Sequence, residues 1–362
     1  MGKLIITADI HNGVSGKLDD TIWAMDIIRL YANDNNIKNI IVAGDLFHDR
    51  VNVGIPVLNG VYNVLKKAAN DQQRWYVFPG NHDMYLKTSW DVTSLRVFCD
   101  LHIIRENISF EEIYGQRFWF LPFMHFEDQY MQTLSDVETR NDVSQDILLT
   151  HIGVNNASLN ECFLLKHWSS VNFTKSTFKR IYTGHFHCHQ QVGDNCWYPG
   201  SPIPFRFDEG LVEHGFFVFD TDTQQHEFIK IFEVGKIYSQ YRPADYITII
   251  DKDLPKNIDW VVGNHVRIIL SRSYSSNERA QIKAILQKKG AKTVNLMQSE
   301  KKILEAKIIS QQKKVNTPEA LFSTYIDIDK PKLDIPLLMS LHKTIVQETE
   351  ERFVAEPDDA EA

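Results

Sequence analysis

Five short apolar runs in the first 235 residues each stop at residues able to bind a metal. Leu4 to Ala8 leads into Asp9 and His11, and Asn39 to Ala43 leads into Gly44 and Asp45. Arg74 to Phe78 precedes Pro79-Gly80-Asn81-His82-Asp83, Ile147 to Thr150 precedes His151, and Arg180 to Thr183 precedes Gly184-His185-Phe186-His187. Runs of four or five Ile, Val, Leu and Tyr predict buried strands. Apolar residues at helical spacing predict helices over 20–32 and 55–69. Alternating strands and helices predict an α/β layered core, in which ligands gather beyond the carboxyl ends of the strands. All five polar clusters fall at such ends. Residues 118–122 and 215–219 predict two further strands, expected to form a second sheet.

Beyond residue 235 the metal-competent clusters cease. Val266 to Leu270 and Thr293 to Met297 predict strands. Between them Ser275 to Lys289 predicts a helix, with Ser276 and Asn277 as capping candidates and Gly290 as its stop. This suggests a small α/β lobe over 236–314. Pro318 then suits the first turn of a helix carrying Leu321, Phe322 and Tyr325, and Pro336 opens another carrying Leu337, Leu341 and Ile345. Residues 355–362 are acidic and poor in large apolar side chains, so disorder is expected. The expected division is 1–235, 236–314, 315–354 and 355–362.

Composition excludes several classes. With 362 residues, 43% hydrophobic and 24% charged, the chain is neither disordered, collagen-like nor a disulfide scaffold. The four cysteines form no CxxC pair, which favours reduced thiols. The first apolar run is too short for a signal peptide, and no stretch reaches the ~20 apolar residues of a membrane span. A soluble, cytoplasmic protein without membrane attachment is expected.

A net charge of −8 argues at first against a nucleic-acid partner. Its distribution changes that picture. Residues 1–266 carry −10 and residues 315–362 carry −7, whereas residues 267–314 hold 12 basic and 3 acidic groups, or +9. Such a segment fits a phosphate-backbone footprint, and equally a solvated helix face.

The candidate chemistry rests on Asp9, His11, Asp45, Asn81, His151, His185 and His187. Imidazole mixed with carboxylate suits divalent transition ions such as Mn, Fe or Zn. Two ions sharing a carboxylate would account for so many ligands, with Asp45 as the natural bridge and Asn81 as a neutral oxygen ligand. Paired ions can clamp a phosphate and lower the pKa of a bound water. His82 could then protonate the leaving group, with Asp83 holding its imidazole in the productive tautomer.

Asp9-Ile10-His11, Gly44-Asp45, Gly80-Asn81-His82-Asp83 and Gly184-His185-Phe186-His187 together resemble the signature of the calcineurin-like metallophosphoesterases. Asp45-Leu46-Phe47-His48 and Tyr198-Pro199-Gly200-Ser201-Pro202 are similar to the nuclease subunit of the double-strand-break repair complex, the bacterial SbcD type. The resemblance covers about residues 1–220. It implies a four-layer β-sandwich flanked by helices, a small capping lobe, C-terminal helices and two Mn²⁺ ions, with Mg²⁺ or another divalent ion as substitutes. By motif, Asp9, His11, Asp45 and His187 would bind one ion, and Asp45, Asn81, His151 and His185 the other. His82 would be the catalytic acid, and His48 would contact the DNA phosphate in exonuclease action. The lobe would guide DNA, and the C-terminal helices would dock on a coiled-coil ABC-type ATPase, within a heterotetramer containing a homodimer of this chain. The short C-terminal part departs from relatives with long tails, a compactness also found in phage-encoded members.

Two rivals accompany this reading. One is another enzyme of the same family, a protein phosphatase or a small phosphodiesterase. The other is a binding module that kept the fold and lost its metals, which a complete ligand set disfavours.

Overall fold

The computed structural model describes residues 2–160, 163–164, 171–210, 212–253 and 257–298. The helices expected after residue 315 and the acidic tail lie outside these residues. Two compact units divide the chain: the larger takes in 1–161, 165–247 and 263–265, and the smaller 162–164, 248–262 and the residues from 266 on.

Two six-stranded sheets build the larger unit. In the first, strands β1 (Lys3–Thr7), β2 (Asn39–Ala43) and β3 (Arg74–Phe78) run parallel. In the second, β4 (Gln116–Leu121), β5 (Ile147–His151) and β6 (Arg180–Gly184) run parallel. Strand β7 (Gly215–Asp220) pairs antiparallel with β1, so Phe219 lies opposite Leu4. The expected partnership of 118–122 with 215–219 is therefore not formed, because the two strands belong to different sheets. Both are short runs buried on two faces, and periodicity cannot tell which sheet such a run joins.

Alternation along each strand divides the apolar residues among three cores. Leu4, Ile6, Ile41 and Phe78 meet Phe118, Phe120, Leu149 and Tyr182 between the sheets. Ile5, Ile40, Val42, Trp75 and Val77 face the other way, against helices α1 (Leu18–Asp34) and α2 (Ile55–Asn70). Trp119, Leu148 and Ile181 cover the far side of the second sheet, where Tyr130 and Leu134 of helix α3 (Glu127–Arg140) pack. The layers are thus helix, sheet, sheet and helix. Each fully buried large side chain contributes ~1.5–3 kcal/mol of transfer energy to this sandwich.

Helix α4 (Ile231–Tyr238) joins the first helical layer: a Cβ on its Gly235 would stand 2.3 Å from the Trp23 ring, so only glycine permits this approach. Residue 235, where the sequence reading ended the first domain, therefore lies within a helix.

A three-stranded sheet follows, made of Tyr246–Ile250, His265–Leu270 and Thr293–Gln298 in that order. Helix α5 (Ser276–Lys289) buries Leu286 in a small core with Val266, Ile268, Leu270 and Val294. Its N-cap is Ser275 rather than the expected Ser276 or Asn277. The Ser275 hydroxyl accepts from the Glu278 amide while the Glu278 carboxylate accepts from the Ser275 amide, a reciprocal capping box. Gly290, at φ 112°, closes the helix in the left-handed conformation.

Candidate metal centre

All seven ligand candidates meet at one rim, where the carboxyl ends of strands from both sheets converge. Asp9 and His11 follow β1, Asp45 follows β2, Asn81 follows β3, His151 ends β5, and His185 and His187 follow β6. The two sheets approach so closely there that a Cβ on Gly184 would stand 2.3 Å from the carbonyl oxygen of Ala43. A Cβ on Gly80 would stand 2.1 Å from Asp45 Oδ1.

The backbone at this rim is strained. Asp9, His11, Asp45 and His185 have φ of 52°, 50°, 53° and 101°, a left-handed region that costs non-glycine residues energy. Ladder-like bonds from His11 N to Asp45 O (3.0 Å) and from His48 N to Asn12 O (3.0 Å) hold the loops after β1 and β2 side by side.

Asp45 stands at the middle of the cluster. Its Oδ1 accepts from the His82 amide at 2.9 Å, and its Oδ2 lies 3.2 Å from His151 Nε2 and 3.6 Å from His11 Nε2. On one side His11 Nε2 and His187 Nε2 are 3.0 Å apart, and Asp9 belongs to the same group. On the other, Asn81 Oδ1 lies 3.1 Å from His151 Nε2 and 3.0 Å from His185 Nδ1. His151 Nδ1–H donates to the Ala43 carbonyl at 2.8 Å, which leaves Nε2 as the metal-competent atom.

Crowding basic nitrogens and carboxylates together in a dry site perturbs every one of them. Burial raises Asp9 to about 6, while His151 and His187 pull it down. Asp45 is held well below the usual carboxylate range: burial opposes this, but the neighbouring His151 and His82 prevail. Burial would lower His151, yet Asp45 and Asp9 carry it up to about 9. Burial, helped by the neighbouring His151, lowers His185 to about 3, and burial also lowers His11. These nitrogens and oxygens crowd one another around a single point. That donor set fits divalent cations, which would replace mutual repulsion with coordination.

His82 and His48 flank the candidate ligands. Their rings stack with centroids 5.3 Å apart and 13° between planes. His82 Nδ1–H donates to the His48 carbonyl at 2.6 Å, and His48 Nδ1 lies 3.3 Å from His11 Nδ1. Asp83, expected to orient His82, is engaged elsewhere: its carboxylate accepts from the backbone amides of Phe47 (2.9 Å), Gly80 (3.1 Å) and Leu46 (3.3 Å). It ties the loops after β2 and β3 together, and the His48 carbonyl takes the orienting place. Sequence adjacency pointed to Asp83 because a carbonyl leaves no trace in residue type. Burial, then the charge of Asp45, pushes Asp83 up to about 7.

Glu209 was not anticipated. It is 1% exposed, and its Oε1 accepts from His187 Nδ1–H at 2.8 Å. A glutamate in a polar loop of a single sequence carries no mark that separates it from a surface residue.

A two-sheet sandwich carrying this ring of imidazole, carboxylate and amide groups is suited to a metal-dependent phosphoester hydrolase. A sequence profile described as calcineurin-like phosphoesterase matches residues 2–203, more than half of the chain, and the protein belongs to that family. No curated protein sequence matches the chain significantly. Among solved structures, GAP50, the anchor in the inner membrane complex of Plasmodium, is similar at 13% identity and a TM-score of 0.38, over 60% of this chain and 80% of its own. The glutamine-dependent NAD+ synthetase of Acinetobacter baumannii is similar at 11% identity and a TM-score of 0.27, over 91% of this chain and 73% of its own. Among the described residues no helix is long and apolar enough to cross a membrane.

Proposed function

We propose that this metallophosphoesterase is a Mn²⁺-dependent DNA nuclease, acting as exonuclease and endonuclease with a coiled-coil ABC-type ATPase in double-strand-break repair and recombination. The observation that carries the reading is the pairing of His48 with His82 beside the ligand ring. Together with Tyr198 to Pro202, His48 belongs to the motifs similar to the SbcD-type nucleases. The basic residues of the smaller unit support it further: Lys283, Lys288 and Lys292 are exposed, as contacts to a phosphate backbone require.

Asp9, His11, Asp45 and His187 would hold one divalent ion, and Asp45, Asn81, His151 and His185 the second. Bound there, the ions would supply positive charge to the phosphate and acidity to a bound water. The remaining work falls to the chain. The bond from His82 Nδ1 to the His48 carbonyl fixes the tautomer, so Nε2 is the atom that can carry a proton to the leaving oxygen. The His82 amide, donating to Asp45 Oδ1, ties the acid's backbone to the central carboxylate. Stacking on His82 fixes the plane of the His48 ring, which in this reading meets a substrate phosphate. The smaller unit guides DNA, and residues 315–354 dock on the ATPase, as part of a heterotetramer with two copies of this chain.

The test is an assay of purified protein with Mn²⁺ on linear duplex DNA and on a small chromogenic phosphodiester, with and without a coiled-coil ABC-type ATPase. Cleavage of DNA, stimulated by the ATPase, is expected. Turnover of the small substrate without any DNA cleavage would refute the nuclease reading.

A further inference from the structure

The turn just past the end of the family match, residues 205–209, forms an outer wall of the metal centre. The Phe205 ring lies edge-on to both His11 and His187, each at 5.6 Å between centroids. Glu209 is buried behind it and divides its carboxylate. Oε2 accepts from the Phe205 amide at 2.7 Å, and Oε1 accepts from His187 Nδ1–H at 2.8 Å and faces Arg206 Nε at 3.3 Å. The turn is held from below: the His214 ring nitrogens lie 2.9 Å from the carbonyl oxygens of Glu209 and Ser201, with one N–H donating, and the Ser201 amide donates to the His187 carbonyl at 3.0 Å. Backbone and side chain of His187 are therefore gripped by one closed loop.

We infer that Glu209 is a positioning residue, whose carboxylate fixes the Nδ1–H tautomer and ring plane of His187 so that Nε2 faces His11 at the metal centre. An imidazole can present only one unprotonated nitrogen to a metal while the other carries hydrogen. A carboxylate on Nδ1 decides which one and raises the basicity of the ligating nitrogen. The arrangement also explains how an acidic residue can be buried here: its partners are an imidazole, a backbone amide and the Arg206 guanidinium, with which it forms an ion pair at 3.3 Å. The inference rests on the metal-hydrolase reading of the site and is independent of whether DNA is the substrate.

Calorimetric titration of the full chain with Mn²⁺ tests it. Glu209→Ala is expected to weaken binding at one of two sites by about 10- to 100-fold, as loss of a ligand's outer partner does. Glu209→Gln, whose amide oxygen still accepts from Nδ1–H, should recover most of that loss. Wild-type affinity in a folded Glu209→Ala protein, or an equal loss in both variants, would overturn the assignment. A second measurement needs no change at Glu209: nitrogen NMR of ¹⁵N-histidine-labelled protein loaded with diamagnetic Zn²⁺, with His187 identified by comparison with His187→Asn. A proton on His187 Nδ1 is expected, and a proton on Nε2 would overturn the assignment. Failure of the wild type to bind either ion would instead refute the metal reading beneath it.

Discussion

His11 Nε2 and His187 Nε2 face each other at 3.0 Å, although the residues are 176 positions apart and follow strands of different sheets. Neither sheet alone could build this pair. It exists because β1 and β6 end at the same rim, with Gly184 admitting the Ala43 carbonyl. Asp45 Oδ2 is near both halves of the ligand ring, 3.6 Å from His11 Nε2 and 3.2 Å from His151 Nε2.

That central position makes Asp45→Asn the most informative ligand substitution. The amide keeps the shape and can still accept from the His82 backbone, but it loses the charge shared by both halves. Mn²⁺ affinity should fall more than about a hundredfold, beyond the usual cost of removing an outer partner, and catalysis should be lost with it. Calorimetry and a phosphoester assay check this, with circular dichroism to establish that the fold persists. Two ions bound at wild-type affinity would exclude Asp45 as the bridge.

His82→Ala should behave differently. The ligand ring does not include its side chain in the proposed roles, so metal binding should be retained. Loss of a general acid should lower kcat by about 10²- to 10⁴-fold. The loss should shrink for a substrate whose leaving group needs no proton, such as a nitrophenyl ester. An equal loss on both substrates would argue that His82 does something other than donate a proton.

The convergence of the candidate ligands was legible in the sequence because each ends an apolar run or follows it within a few residues, so chain position alone brought the candidates into view. What remained hidden was the contact across the sheets. The same runs said nothing of which sheet would take β4 and which β7, since both strands bury two faces. The His48 carbonyl and Glu209 escaped for a related reason: one is backbone, and the other owes its role to a turn that folds back on His187. Asp83 drew attention by standing next to His82, yet its carboxylate serves three amides in the loops beneath.

Gly80 offers a test of how tightly the rim is packed. A methyl group there would meet Asp45 Oδ1 at 2.1 Å and the Asp45 amide nitrogen at 2.6 Å, neither of which can retreat without moving the loop after β2. Gly80→Ala should therefore cost about 1–3 kcal/mol of stability, as overpacking does. It should weaken metal binding as well, because the displaced group is the central carboxylate. Denaturant unfolding and Mn²⁺ titration read the two effects separately. A variant as stable as wild type with unchanged affinity would show that the rim relaxes freely.

Stability should also depend on pH through His226, a histidine outside the candidate ligand set. His226 sits among Tyr182, Trp197 and Phe217, with Tyr182 Oη 2.7 Å from its Nδ1. Burial, followed by the nearby Arg180 guanidinium and His189, lowers it to about 4. The unfolded chain, with an ordinary value near 6.5, binds the proton more readily than the folded one between pH 6.5 and about 4. The stabilisation from a neutral His226 is thus complete above pH 6.5 and is lost as pH falls toward 4. Because the ring is only partly shielded, solvent screening reduces the effect to on the order of 1 kcal/mol. Other histidines titrate in the same range, so the decisive quantity is the difference between wild type and His226→Gln, which keeps an acceptor for Tyr182. In urea unfolding from pH 7.5 to pH 4, the wild type should lose more stability than the variant, with the gap opening below pH 6.5. Parallel curves would mean that His226 takes up its proton in the folded state as easily as in the unfolded chain.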